Sequence, residues 1–100
     1  MKIIINNTSM VPIYEQIMEQ IKAQIISGQL KENDILPSVR TMAKELKISA
    51  LTVKKAYDTL EEERRKEVEA DLEAAIQKGR RCGMKGEEIR SLFELIMEDE

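Results

Sequence analysis

Histidine and tryptophan are absent from this chain, and cysteine occurs once, at position 82. A single cysteine excludes an internal disulfide, and without histidine no zinc site of the usual ligand spacing can form. We interpret Cys82 as an incidental thiol near a helix end. The sequence also contains no glycine-rich phosphate loop and no motif that pairs a nucleophile with a base. We therefore predict no metal site, no cofactor and no enzymatic activity.

Long hydrophobic runs are also missing, since no stretch approaches the roughly 20 apolar residues that cross a bilayer. Residues 1–7 lack the longer apolar core and the cleavage site of a secretory signal. With 42% hydrophobic and 35% charged residues, the composition is typical neither of a disordered chain nor of a membrane protein. We expect a mostly helical, cytoplasmic protein with one domain, or a small domain plus an assembly element, and no membrane partner.

Two short helices joined by a tight turn are predicted over residues 37–60. Ser38 and Ser49 each precede an amphipathic run, and each hydroxyl can accept a hydrogen bond from the free amides of a first helical turn. Apolar residues then recur at spacings of three and four, as on one face of a helix. They are Val39, Met42, Ala43 and Leu46 in the first helix, and Val53, Ala56, Tyr57 and Leu60 in the second.

The opposite face of the second helix carries small polar and cationic side chains. It consists of Ala50, Leu51, Thr52, Lys54, Lys55 and Asp58. Lysine binds phosphates or guanine edges, and threonine and alanine can contact a thymine methyl group, so this face suits a DNA major groove. The alternative is a solvated face that only keeps the protein soluble, because helix pairs of this size also occur in interaction domains. Spacing alone leaves both interpretations open.

A family resemblance favours the first interpretation. It rests on residues 12–17, 25–30 and 34–40, and on Ile48, Ser49, Thr52, Val53, Ala56, Tyr57, Leu60 and Glu61. In order and spacing, over about half of the chain, they resemble the DNA-binding domain of GntR-type bacterial transcription regulators. The resemblance implies a winged helix-turn-helix fold.

In that family, the arginine of the Pro-Ser-x-Arg run, the residues that open the recognition helix and a basic residue one turn later contact the operator. By this resemblance Arg40 is the arginine of the run and Lys54 is the later basic residue. The recognition helix opens with Ser49, Ala50 and Thr52, and Ala50 departs from the arginine that many members carry. We add Lys55 because it lies on the same exposed face. The candidate DNA-binding residues are Ser38, Arg40, Ser49, Ala50, Leu51, Thr52, Lys54 and Lys55.

The sequence departs from the family after Glu63, where members continue into a glycine-containing β-hairpin, the wing. Here the chain goes directly to Arg64 and Arg65 without a strand or turn signal. Either the wing is absent, or the sequence joins the two sides of a mobile hairpin that it omits. We favour the omission, because exposed hairpin tips are where order is most often lost. The β-branched run at residues 3–5 predicts one brief strand, which would need such a partner edge.

The first helix is predicted to start at Pro12 and to stop at Gly28, and to support the other two. Its apolar stripe consists of Ile13, Ile17, Ile21 and Ile25, widened by Tyr14 and Met18. We expect Leu30, Ile35 and Leu36 to hold the following loop against the same core.

The net charge of −3 is unevenly distributed. Residues 1–60 contain eight lysines or arginines and six acidic residues, whereas residues 61–100 contain eight and thirteen. A small basic surface on the first part suffices for phosphate contacts, and the acidic second part would be kept away from the duplex. We therefore expect a real but modest dependence of DNA affinity on salt.

From Glu61 onward we predict a long helix, then a glycine-containing turn and a second helix from about Gly86, together an antiparallel hairpin. Neither helix alone covers the apolar face of the hairpin, so we expect it to pack against a second copy. Such a homodimer would read a pseudo-palindromic operator in successive major grooves. A hairpin that folds back on its own domain as a monomer is the alternative. The predicted dimerisation residues are Val68, Leu72, Ala75, Ile76, Ile89, Leu92, Phe93 and Ile96.

The helical tail resembles the YtrA-like subfamily, in which a short dimerisation tail replaces a large effector domain. This resemblance implies a dimeric repressor of an operon such as a transporter operon. We assign residues 1–63 to DNA binding and residues 64–100 to dimerisation. The tail leaves little room for an enclosed ligand pocket, so the effector is unknown. The alternative function is a helix-turn-helix module that binds another protein without DNA, since Asp58 and the acidic residues 61–63 repel phosphate.

Overall fold

The computed structural model describes residues 1–31 and 33–99 of the chain. Its helices are α1 (Ile13–Ile26), α2 (Val39–Leu46), α3 (Ala50–Arg81) and α4 (Gly86–Glu98), and the described residues contain no strand. The chain divides into an N-terminal unit, Met1–Glu62, and a C-terminal unit, Glu63–Glu100, with the boundary inside α3. The prediction of a mainly helical fold is confirmed.

The core of the N-terminal unit lies between α1, α2 and the first turns of α3. Ile17 and Ile21 of α1 and Val53 of α3 are its largest fully buried side chains. Met18, Met42, Ala43 and Ala56 complete it. The apolar stripes predicted for the three helices therefore meet in one cluster, which orients the opposite faces of α2 and α3 toward solvent.

Two residues predicted to belong to this core lie outside it. Ile25 is half exposed, because a four-residue repeat advances about 40° per step around a helix and has left the buried face by its fourth member. Ile35 is 93% exposed. Its neighbour Leu36 packs against the core, and adjacent side chains of a non-helical segment point in different directions.

The strand predicted at residues 3–5 does not form. Glutamine side chains of α1 hydrogen-bond to the backbone of this segment instead. Gln20 accepts from the Ile4 N–H at 2.8 Å and donates to the Ile4 carbonyl at 2.7 Å, and Gln16 makes the same pair of bonds with Asn6, at 2.9 and 3.1 Å. Gln24 donates to the carbonyl of Lys2 at 3.0 Å. We call this set of bonds the glutamine ladder, and it supplies the partner edge that a lone strand lacks.

Helix α3 passes through residues 60–65 without interruption. The chain therefore carries no wing between the helix-turn-helix and the tail in the part that the structure describes. Because the structure contains only the residues of the sequence itself, the choice between absence and omission of the wing stays a prediction.

In the C-terminal unit, α3 ends at a turn that contains Gly83, whose φ is +86°. The N–H of Met84 donates to the carbonyl of Gly79 at 3.0 Å, which closes the helix end as in many glycine-terminated helices. Gly79 also lies against α4: a Cβ atom added there would stand 3.0 Å from Cδ1 of Ile89. The predicted two-helix hairpin is present, and its helices approach closely at this glycine.

Within residues 1–31 and 33–99, no helix is both long enough and apolar enough to cross a membrane. The same residues contain no cluster of acidic or cysteine side chains that could hold a metal ion. Cys82 is exposed, one residue beyond the end of α3.

Candidate nucleic-acid interface

The turn between α2 and α3 consists of Lys47, Ile48 and Ser49. Lys47 is in the left-handed conformation, with φ +57° and ψ +47°, and its N–H donates to the carbonyl of Ala43. The Ile48 N–H donates to the same carbonyl at 3.0 Å, while the Ile48 side chain packs against the core. These bonds close α2 and fix the point at which α3 begins.

Both predicted serine caps are confirmed. Ser38 Oγ accepts a hydrogen bond from the Thr41 N–H at 3.1 Å and donates to Thr41 Oγ1 at 2.9 Å. Ser49 Oγ accepts from the Leu51 N–H at 3.1 Å. The two hydroxyls therefore satisfy amides that have no partner inside the helix, which gives α2 and α3 defined first turns.

Tyr57 connects α3 to the segment that precedes α2. Its hydroxyl donates to the carbonyl of Pro37 at 2.7 Å and lies 3.5 Å from Sδ of Met42. Partial burial raises the pKa of Tyr57, and the negative charge of Glu45 raises it further. The neutral phenol is thus the form that the fold favours, and its hydrogen bond holds Ser38 and Arg40 in a fixed place relative to α3.

The predicted DNA-binding residues lie on the first turn of α2, at its cap, and on the first two turns of α3. Thr52 is partly buried, and all the others are exposed, namely Ser38, Arg40, Ser49, Ala50, Leu51, Lys54 and Lys55. Leu51 is 78% exposed. The guanidinium of Arg40 has no ion pair or hydrogen bond within the described part of the chain. This surface combines a cation, hydroxyls and an apolar side chain, the mixture that base edges and phosphates require.

The two lysines of this surface differ in their contacts. Lys54 donates to Asp58 Oδ2 at 2.6 Å, an ion pair between residues four apart, and this hydrogen bond and the charge of Asp58 raise the pKa of Lys54. The ammonium of Lys55 instead lies 4.1 Å from the centre of the Tyr14 ring of α1, a cation–π contact. The sequence spacing could have indicated the first pair. The second requires the packing of α1 against α3, which no local pattern reveals.

The family model described as "Bacterial regulatory proteins, gntR family" matches residues 13–65, more than half of the chain. This chain belongs to the GntR family. Our recognition of the family from its residues is confirmed. The matched region contains α1, α2, the first part of α3 and every candidate DNA-binding residue.

Two YtrA proteins resemble this GntR-family chain. It is 46% identical over 59 residues to the "HTH-type transcriptional repressor YtrA" of Bacillus subtilis, a match that covers 59% of this chain and 45% of that protein. It is 48% identical to the structure of YtrA from Sulfolobus acidocaldarius, a GntR-family transcription factor, with a TM-score of 0.60. That match covers 61% of this chain and 65% of the other. The chain thus matches less than two thirds of either relative.

A third likeness extends over the tail. A transcriptional antiterminator structure from Listeria monocytogenes EGD-e is 28% identical, with a TM-score of 0.60, and the match covers 99% of this chain and 92% of that one. The three relatives carry the names of transcription proteins, and the chain is a YtrA-like member of its family.

Proposed function

We propose that this chain is a sequence-specific, DNA-binding transcription regulator that acts as a homodimeric repressor in the cytoplasm. The observation that carries the proposal is the exposed surface formed by Arg40 and the first two turns of α3, opposite a buried core. The Bacillus relative is named a repressor, which supports that direction of control. The resemblance to YtrA-like tails is the ground for a transporter operon as the target.

In this proposal the first turns of α3 enter the major groove and α2 crosses the backbone, as in other helix-turn-helix proteins. Arg40 and Lys54 neutralise phosphates or bind guanine, and the exposed Leu51 contacts a thymine methyl group. The cap hydroxyls of Ser38 and Ser49 retain a lone pair each for a donor or a bridging water, so they contribute less.

The DNA-binding proposal is tested by selection. Purified protein is used to enrich duplexes from a random pool of about 30 base pairs, and the enriched duplex is titrated by fluorescence anisotropy. We expect a pseudo-palindromic sequence to emerge. Arg40→Ala and Lys54→Ala should each weaken binding by about tenfold, because each removes a contact of roughly 1–3 kcal/mol.

Lys31→Ala is the matched control, because it removes one lysine from the loop before α2, outside the candidate surface, and should leave affinity within about twofold. If the wild-type protein enriches no sequence, DNA binding is wrong. A protein-interaction module then becomes the better account of the acidic residues near Asp58.

The dimer proposal rests on the C-terminal unit. Six of the predicted dimerisation residues are large apolar side chains that stay between 38% and 57% exposed, namely Val68, Leu72, Ile76, Leu92, Phe93 and Ile96. Ala75 is exposed as well, whereas Ile89 is partly buried against Gly79 within the hairpin. Leu95 and Met97, which we did not predict, add further exposed apolar area. A second copy that covers this surface would remove it from water.

Phe93→Glu tests the dimer, because a carboxylate on the apolar face cannot be buried without a partner. In analytical ultracentrifugation we expect about 23 kDa for the wild type, twice the 11.5 kDa of one chain, and about 11.5 kDa for the variant. Glu94→Ala, the neighbouring exposed position, should leave the mass unchanged. A wild-type protein that sediments as a monomer at micromolar concentration contradicts the proposal.

A further inference from the structure

Lys54 and Asp58 form a closed ion pair on the surface that would face DNA. Their side chains are 62% and 60% exposed, and the ammonium donates to the carboxylate at 2.6 Å. Lysine four residues before an acid is drawn along the helix toward the acid, here away from the leading turn of α3. The cation that the DNA-binding proposal assigns to phosphate is thus already bound to an anion of its own chain.

The charge of the whole N-terminal unit makes this pairing important. Residues 1–62 contain eight lysines or arginines and eight acidic residues, so the formal charges of the unit cancel. Electrostatic attraction of DNA then depends on a few local cations and not on a general positive field. Lys55 adds little to that set while its ammonium lies over the Tyr14 ring. Each unit charge near Lys54 should therefore have a measurable effect.

We propose that Asp58 is an internal competitor for Lys54, which occupies the place of a DNA phosphate oxygen and so sets the affinity and salt dependence of binding. To bind phosphate, Lys54 must leave the carboxylate of Asp58. If it does not, the carboxylate lies close to the phosphate, and the two negative charges repel each other. We favour competition over a role in orienting Lys54, because both side chains are exposed to solvent and no third side chain of the described residues is bonded to the pair. The inference rests on the proposed DNA binding.

The test compares Asp58→Asn with the wild type on the duplex that the wild type enriches. Asparagine keeps the size of the side chain and removes the negative charge. We expect binding to tighten by roughly threefold or more per subunit at low salt, and the slope of log K against log salt to become steeper by up to about 0.9 per subunit, because Lys54 then binds phosphate without a competing carboxylate beside it. Glu19→Gln, an equal change of charge on an exposed residue of α1, is the matched control and should change neither quantity.

The double variant Lys54→Ala, Asp58→Asn identifies the cause. If Asp58 acts through Lys54, the steeper salt slope disappears when Lys54 is absent. A slope gain that persists in the double variant overturns the inference, and so does an Asp58→Asn variant that binds as the wild type or more weakly. The last result would show that Asp58 orients Lys54.

A measurement without DNA tests the pair itself. The raised pKa of Lys54, followed by NMR of its side chain, should fall toward the ordinary lysine value in Asp58→Asn. An unchanged pKa overturns the inference. If the wild type enriches no duplex, the proposed function fails together with this inference. If the wild type binds and the Asp58→Asn variant has the same affinity and salt slope, only the inference fails.

Discussion

The N-terminal and C-terminal units differ in how far they bury their apolar side chains. In the N-terminal unit, seven apolar residues are buried and a ring of partly buried ones surrounds them. In residues 63–99 no side chain is buried, and only Gly79, Met84 and Ile89 are even partly covered. Three helices that cross can enclose a core, whereas two helices side by side leave half of each apolar stripe in water.

This difference indicates which contacts stabilise each unit. The N-terminal unit contains what it needs to fold, because the area that it buries comes from its own helices. The hairpin of the C-terminal unit gains little from burial until another surface covers it. Its stability should therefore depend on protein concentration, as expected for an assembly element.

The largest effect should come from the buried core. Ile17→Ala removes a fully buried side chain and should lower the free energy of unfolding by about 3 kcal/mol, through lost burial and the cavity left behind. Ile76→Ala makes the same change at a residue of α3 that is 38% exposed, and should cost less than about 1 kcal/mol in the monomeric Phe93→Glu background. Urea unfolding followed by circular dichroism measures both. Equal losses would mean that the two units do not differ as described.

An intermediate effect is expected where α3 and α4 approach most closely. Gly79→Leu places a side chain where even a Cβ atom would stand 3.0 Å from Ile89, and should destabilise the hairpin by about 2 kcal/mol. Gly86→Leu is the control, because a Cβ atom there meets nothing within 4 Å. Hydrogen exchange of α4 amides should accelerate in the first variant alone. Unchanged exchange in both would show that the contact at Gly79 does not hold the hairpin together.

The smallest effect concerns the link between α3 and the segment before α2. Tyr57→Phe leaves the carbonyl of Pro37 without its donor and should cost about 1 kcal/mol at neutral pH. The fold raises the pKa of Tyr57, so above pH 10 the unfolded chain binds fewer protons than the folded one, and wild-type stability falls as pH rises through the folded pKa. The variant lacks this loss.

The difference in urea midpoint between the wild type and Tyr57→Phe should therefore be smaller at about pH 10.5 than at pH 7. Parallel losses in the two proteins would show that Tyr57 does not carry the alkaline sensitivity. Arg40 and Lys54 are unchanged in this variant, so an accompanying loss of DNA affinity would report a shift of α2 relative to α3.

Local signals in the sequence predicted the helices well. Serine caps, proline and glycine stops and apolar stripes each act over a few residues, and these gave the starts of α2 and α3 and the turn near Gly83. Ile25 and Ile35 were placed wrongly because burial depends on where a stripe points once the helices cross. The strand at residues 3–5 was wrong for a related reason, since β-branched composition does not reveal that a helix supplies the hydrogen-bond partners.

The candidate site was predictable as a face but not as a set of contacts. Spacing identified which residues of α3 point away from the core, and all of them except the partly buried Thr52 are exposed. The contact that each lysine ammonium makes depends on neighbours in space. Asp58 lies one turn away and could be found by counting, but Tyr14 reaches Lys55 only after α1 packs against α3.

The glutamine ladder has a consequence for interpreting other chains. A primary amide presents a donor and an acceptor side by side, as a peptide group does, so glutamines spaced one turn apart can substitute for a neighbouring strand. Exchange of one amide nitrogen for oxygen, as in deamidation of Gln20, would set a carboxylate oxygen against the Ile4 carbonyl and replace one of the two hydrogen bonds of that rung by a repulsion, while the Ile4 N–H keeps its acceptor. Three glutamines at four-residue intervals in a helix, preceded by a β-branched run, therefore indicate an extended segment lying along that helix.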